Sequence, residues 1–142
     1  MATYDIATIR SALKTLITTA DKLAFVYDYF NPKIEGYPCV AFDMENEANE
    51  MLDDANNLRT VTFKVYIMQE ISVATRTTAK DLLDAAVKQV VNILETKTND
   101  SLSGNIDWLM PINGKRGEVE SPEGNILYQE IIIDAKVAST IL

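Results

Sequence analysis

Ala79, Leu82, Leu83, Ala86, Val87, Val90, Val91 and Leu94 fall at offsets 0, 3, 4, 7, 8, 11, 12 and 15. That period puts all of them on one side of an α-helix. Lys80, Asp81, Asp84, Lys88, Gln89, Asn92 and Glu95 fill the other side. A stripe this wide must be laid on a second apolar surface. The surface is written upstream, where Val61, Phe63, Val65 and Ile67 alternate with Thr60, Thr62, Lys64, Tyr66 and Met68. Alternation of that kind is a strand with one buried face. A helix laid on a one-faced strand needs a layered core, and a chain of 142 residues can bury about 68–70% of its unfolded surface. We therefore expect one domain over residues 1–142, held without disulfide or metal.

The other elements follow from the same periods. Ile6, Ile9, Leu13, Leu16, Ile17 and Ala20 form a helical stripe over residues 5–20, with Arg10, Ser11 and Lys14 opposite and Asp5 placed to cap it. Leu23 to Phe30 is aromatic and β-prone, closed by Asn31-Pro32, and reads as a strand. Gly36-Tyr37-Pro38-Cys39-Val40-Ala41-Phe42 opens another, which runs from Cys39 because proline is tolerated at a strand start. Asn99 to Asn105, with Gly104, ends the second helix. Ile106 to Ile112 predicts a short edge strand carrying Pro111, and Asn113 to Gly124 predicts a glycine-rich loop. In the last strand Ile131, Ile133, Ala135 and Val137 share a face while Glu130, Asp134 and Lys136 point away. The order is α β β β α β β. The class is α+β: a mainly antiparallel or mixed sheet of four to five strands with two helices packed on one face.

Charge and residue usage exclude several functions. The formal charge is −8, from 21 acidic and 13 basic residues, and only Lys115-Arg116 are adjacent bases. Phosphate-gripping proteins cluster their bases, so tight nucleic-acid binding is not expected. Histidine is absent and Cys39 is the single cysteine. That removes the Cys/His zinc sets, the Ser-His-Asp triad and the Cys-His pair, and Cys39 in its apolar run reads as a buried small hydrophobe. Gly114-Lys115 fails as a phosphate loop, which needs Gly and Ser or Thr where Leu109 and Arg116 stand. The pair Lys115-Arg116 is instead the one local positive feature able to meet an acidic surface or a phosphate. Trp108 and the tyrosines Tyr27, Tyr29, Tyr37, Tyr66 and Tyr128 suit either the core or an interface. The start, MATYDIATIRSALK, lacks the apolar core of a signal peptide, and no apolar run reaches ~18 residues. The expectation is a soluble protein made in a cytoplasm, with no membrane partner.

Glu45 to Asn57 packs five carboxylates, Glu45, Glu47, Glu50, Asp53 and Asp54, into thirteen residues. With strands ending near Phe42 and beginning near Thr60, it reads as a connection of about fifteen residues, where hairpins usually take 2–5. A calcium loop needs a glycine, and none occurs from Asp43 to Lys64. Paired catalytic acids or a metal-binding module remain open. A third reading is a short docked helical turn capped by Asn46, with Ala48, Met51, Leu52, Ala55 and Leu58 beneath.

The element order, the Gly36 to Phe42 opening, the acidic excursion, the Thr60 to Met68 strand and the Ala79 to Leu94 helix together resemble the tail-terminator or tail-completion proteins of long-tailed bacteriophages. The resemblance implies a structural, non-catalytic subunit without cofactor or metal. It implies a homo-hexameric ring that caps the tail tube, stops its growth and forms the surface that docks the head. Partners would then be the tail tube protein and the head–tail connector protein, with DNA passing through unbound, in a virion tail assembled in the host cytoplasm. Six copies would carry 6 × −8 = −48 formally, which suits a channel past which DNA slides. A related neck or head–tail joining protein is the neighbouring possibility. The residues expected to make contacts are Glu45, Glu47, Glu50, Asp53, Asp54, Lys115 and Arg116. Neutralising Glu45, Glu47 and Glu50 together to glutamine should leave the folded state intact by circular dichroism while slowing the completion of tails; completion at the normal rate would reduce the stretch to solvated surface.

Overall fold

The computed structural model describes residues 5–27, 34–51, 56–71, 76–96, 102, 106–120 and 124–140. Its elements are α1 (Ile6–Thr18), β1 (Phe25–Tyr27), β2 (Cys39–Met51), β3 (Asn56–Glu70), α2 (Arg76–Glu95), β4 (Trp108–Val119) and β5 (Ile126–Thr140). The order α β β β α β β is as the sequence predicts. The strands form one five-stranded sheet in the order β1-β2-β3-β5-β4. β1 runs parallel to β2 and every other pair is antiparallel, so the sheet is mixed.

Both helices lie on one face. Ile9, Leu13 and Ile17 of α1 and Ala79, Leu83, Ala86, Val90 and Leu94 of α2 are buried against Val61, Phe63, Val65 and Ile67 of β3 and Ile131, Ile133, Ala135 and Val137 of β5. The alternation read from the sequence is thus the core's inner face. Leu82 departs from it: 44% exposed, it stands on the flank of the α2 stripe. Asp5 caps α1, its carboxylate accepting from the Ala7 amide at 3.1 Å and from the Thr8 hydroxyl at 2.8 Å. Gln89 of α2 pins the turn after α1, donating to Asp21 at 2.7 Å and accepting from the Lys22 amide at 2.8 Å.

Three expectations are corrected. From Glu45 to Met51 the acidic stretch is strand, neither loop nor helical turn: β2 continues to Met51, paired with β3 from Cys39↔Met68 to Met51↔Asn57, and residues 52–55 lie outside the described residues. Asn113 to Val119 is strand rather than loop, since β4 runs to Val119 and pairs with β5 as far as Val119↔Ile126, while residues 121–123 lie outside the described residues. The strand expected over Leu23 to Phe30 is β1, Phe25–Tyr27, with residues 28–30 outside the described residues. The proposed helix stop at Asn99 to Asn105 also lies mostly outside them.

Two bulges set which residues face the helices. In β2, Phe42 pairs with Val65 and Met44 with Lys64, leaving Asp43 as the extra residue. In β4, Pro111 pairs with Ile133 and Asn113 with Ile132, leaving Ile112 extra. An added residue reverses the alternation beyond it. Through Asp43 the helix face receives Glu45 and Glu47, which pair with Phe63 and Val61. Pro111 beside a bulge on the sheet's last strand is where a proline costs a ladder least. Gly114 lies just beyond, pressed on β5: a Cβ there would stand 2.2 Å from the Glu130 carbonyl oxygen. At Gly117 a Cβ would meet the Tyr128 side chain alone among its nearest atoms, crowding the hydroxyl and the ring atoms Cζ at 2.6 Å and Cε1 at 2.9 Å. Urea melts should therefore show Gly114→Ala destabilised by about 1–3 kcal/mol, the usual range for overpacking, and Gly117→Ala by less, because a ring can swing and a central strand cannot.

Candidate functional site

The acidic and basic positions singled out by the sequence do not converge. Glu45 and Glu47 lie on the helix side of β2 and Glu50 on the opposite side, because side chains alternate along a strand. Asp53 and Asp54 lie outside the described residues. Lys115 and Arg116 are on β4, beyond β3 and β5. Three strand spacings, about 14 Å, separate the two sets across the sheet. Lys115 pairs opposite Glu130 on the open face, and Arg116 opposite Gln129 on the helix face.

Within each set, ion pairs further divide the charges. Arg10 of α1 donates to Glu45 at 2.6 Å and Arg59 of β3 donates to Glu47 at 2.7 Å. Arg116 binds Asp84 of α2, and Arg76 binds Glu118 of β4. The Arg76 guanidinium, with the Asn125 amide, holds the Glu118 carboxyl below its ordinary value. The Arg10, Arg116 and Arg76 pairs clamp helices to the sheet margins, and the Arg59 pair joins β3 to β2. Among the described residues no group of three or more Asp, Glu, Cys or His could hold a metal. The metal and acid-pair readings also draw on Asp53 and Asp54, which lie outside the described residues. Cys39 is fully buried and burial pushes its thiol up to about 12, which keeps it protonated and inert.

The open face of the sheet carries a polar network rather than a cleft. Tyr66 donates to Glu130 at 2.7 Å, and its ring meets Tyr128 edge-on with centroids 5.4 Å apart. Glu130 points away from the helices as expected, yet it is 6% exposed because these tyrosines cover it. Thr62 donates to Asp134 at 2.7 Å, and the Lys136 ammonium sits 5.4 Å from the Trp108 ring centre. A rim of exposed apolar side chains borders the network along β4: Trp108, Met110, Ile112 and Val119. The sequence reading placed Trp108, Met110 and Ile112 in a strand and offered Trp108 to an interface, but left Val119 out by ending that strand at Ile112. The spacing of Trp108 and Met110 was the available signal. The candidate functional feature is thus a surface: an acidic edge on β2, an apolar and basic edge on β4, and a polar face between them.

No protein-family profile matches the sequence, and a search of curated proteins finds no significant match. Among described residues no helix is long and apolar enough to cross a membrane. Among solved structures the fold is similar to that of a chain from the virion of a native gene transfer agent particle. The TM-score is 0.64 at 17% identity, over 96% of this chain and 100% of that one. The two share an architecture from end to end.

The open-face network yields a titration. Partial burial, aided by the hydrogen bond to Glu130, raises the Tyr66 phenol from 10.0 to about 12. A raised phenol means the folded state keeps its proton longer than the unfolded state, so its contribution to stability is intact below pH 10 and is lost as pH rises through about 12. Tyrosinate absorbance in alkaline titration should show one late-titrating tyrosine in the wild type that is missing in Tyr66→Phe.

Proposed function

We propose that this protein is a structural virion component that caps the end of a phage tail tube as a homo-hexameric ring. In this reading it stops tube growth and forms the surface on which the head docks. The observation that carries the reading is the end-to-end likeness in fold to a chain of a phage-like virion particle. A match over the whole of both chains supports one complete architectural unit of the same kind.

The surface is in keeping with this role. Among the described residues the sheet offers two long strand edges and a polar open face, features suited to contact with other subunits. The negative charge of −8 per subunit suits DNA passing through a ring without adhering. The partners are further copies of the chain, the tail tube protein and the head–tail connector protein. The place of action is the virion tail, assembled in the host cytoplasm.

The test is assembly. Purified protein mixed with polymerising tail tube protein should bind tube ends and shorten the length distribution, with rings of about six subunits seen end-on by negative-stain microscopy. Tubes that grow to the same lengths with bare ends would overturn the reading. Binding to connector protein alone would move the chain to the neck.

A further inference from the structure

Among the described residues the sheet has two outer edges, and both are open at the same end. β1 covers β2 only at Cys39, Val40 and Ala41, so from Asp43 to Met51 no strand lies on the outer side of β2 among the described residues. β4 is the last strand on the other side. Following the ladders across, Ala48, Thr60, Lys136 and Trp108 stand in one row, and Asn46, Thr62, Asp134 and Met110 in the next. The uncovered part of β2 is therefore level with the apolar end of β4.

The two edges also match in direction and charge. β2 is antiparallel to β3, β3 to β5 and β5 to β4, so β4 runs opposite to β2. A second copy in the same orientation would bring its β4 antiparallel to this β2. From Cys39 to Met51, β2 carries Asp43, Glu45, Glu47 and Glu50 and no base. From Trp108 to Gly117, β4 carries Lys115 and Arg116 and no acid, and Lys136 stands beside Trp108. By the same rows Lys115 stands level with Ala41, two residues from Asp43; Asp43 and Lys115 are both exposed, and neither forms an ion pair among the described residues. A chain of net charge −8 repels its copies over most of its surface. The edge of β4 is where a copy can approach the acids of β2. Long open edges bearing exposed apolar groups are also the part of a sheet most ready to pair with another chain.

We propose that β4 of one copy adds as a strand beside the Asp43–Met51 segment of β2 in the next. This gives a head-to-tail contact that places Trp108, Met110 and Ile112 against the acidic strand. The contact uses two different patches, so it is heterologous and can close into a ring. It rests on the ring reading above and names the surfaces that make the ring.

Cysteine pairing tests it directly, because Cys39 is the single native cysteine and fully buried. Neighbouring strands bring Cα atoms to about 4.5–5.5 Å, inside the range a disulfide needs. Ala48→Cys protein is mixed with Met110→Cys or Ile112→Cys protein in the presence of tail tubes and oxidised, with particle mass followed by light scattering. The expected result is mixed disulfide dimers between the two proteins, and a ladder of higher multimers from a chain carrying both cysteines. Lys115→Glu should lower the crosslinking rate several-fold at low salt and much less at high salt. Rings that form without crosslinks from either pair would overturn this contact and leave the ring reading standing. Absence of both rings and crosslinks would overturn the two together. Ala48→Cys protein crosslinking to itself as well as to the mixture would replace the head-to-tail contact with a two-fold one.

Discussion

β3 is the strand on which the rest of the molecule is registered. It pairs along its whole length with β5, from Asn56↔Thr140 to Glu70↔Ile126, and with β2 from Asn57 to Met68. Val61, Phe63, Val65 and Ile67 on its inner face are each 0% exposed. Burying each such side chain contributes about 1.5–3 kcal/mol, and a slip of one residue would send all four to the open face. One alternating run thus fixes the register of two neighbours and the seat of both helices. The helices have little choice once that face is set, because α2 packs over β3, β4 and β5 and α1 closes the remaining side toward β1.

The charges are arranged around this core in a consistent way. Arg10, Arg76 and Arg116 tie the two helices to the outer strands through Glu45, Glu118 and Asp84, at the margins where the apolar layer ends. Each pair is partly exposed, so solvent screens it and its contribution to stability is modest. Their greater effect is on orientation. They hold the outer strands against the helices while leaving the backbone edges of those strands turned outward.

Much of this was legible in the sequence, and the failures have physical causes. The α2 stripe, the β3 alternation and the inward face of β5 were readable because burial on one side only leaves a period in the residues. β2 beyond Phe42 was not, since both faces of its far half lie near solvent and Glu45, Asn46, Glu47, Asn49 and Glu50 show no alternation to detect. The shift at Asp43 also broke the phase, and the helical spacing of Ala48, Met51 and Leu58 falls on residues that lie in β2 and β3. In β4, Pro111, Gly114 and Gly117 are turn-forming types. They occupy a strand because of a bulge, a close approach to β5 and a tyrosine ring overhead. The candidate contact residues were half legible. The sequence identified the acidic run and the Lys115-Arg116 pair, but only the strand order shows that they lie on opposite margins of one sheet.

The two bulges stand almost in the same row, Asp43 beside Lys64–Val65 and Ile112 beside Ile132–Ile133. They act as the points where a strand's reading frame is reset. Losing Asp43 would straighten β2 and leave Met44 opposite Lys64 and Glu45 opposite Phe63, so Glu45 and Glu47 would keep the helix side. The extra residue can therefore be lost at either position while every pairing beyond it is kept. Length variation at Asp43 and Ile112 is accordingly a change that related chains would absorb with the core and both sheet margins intact.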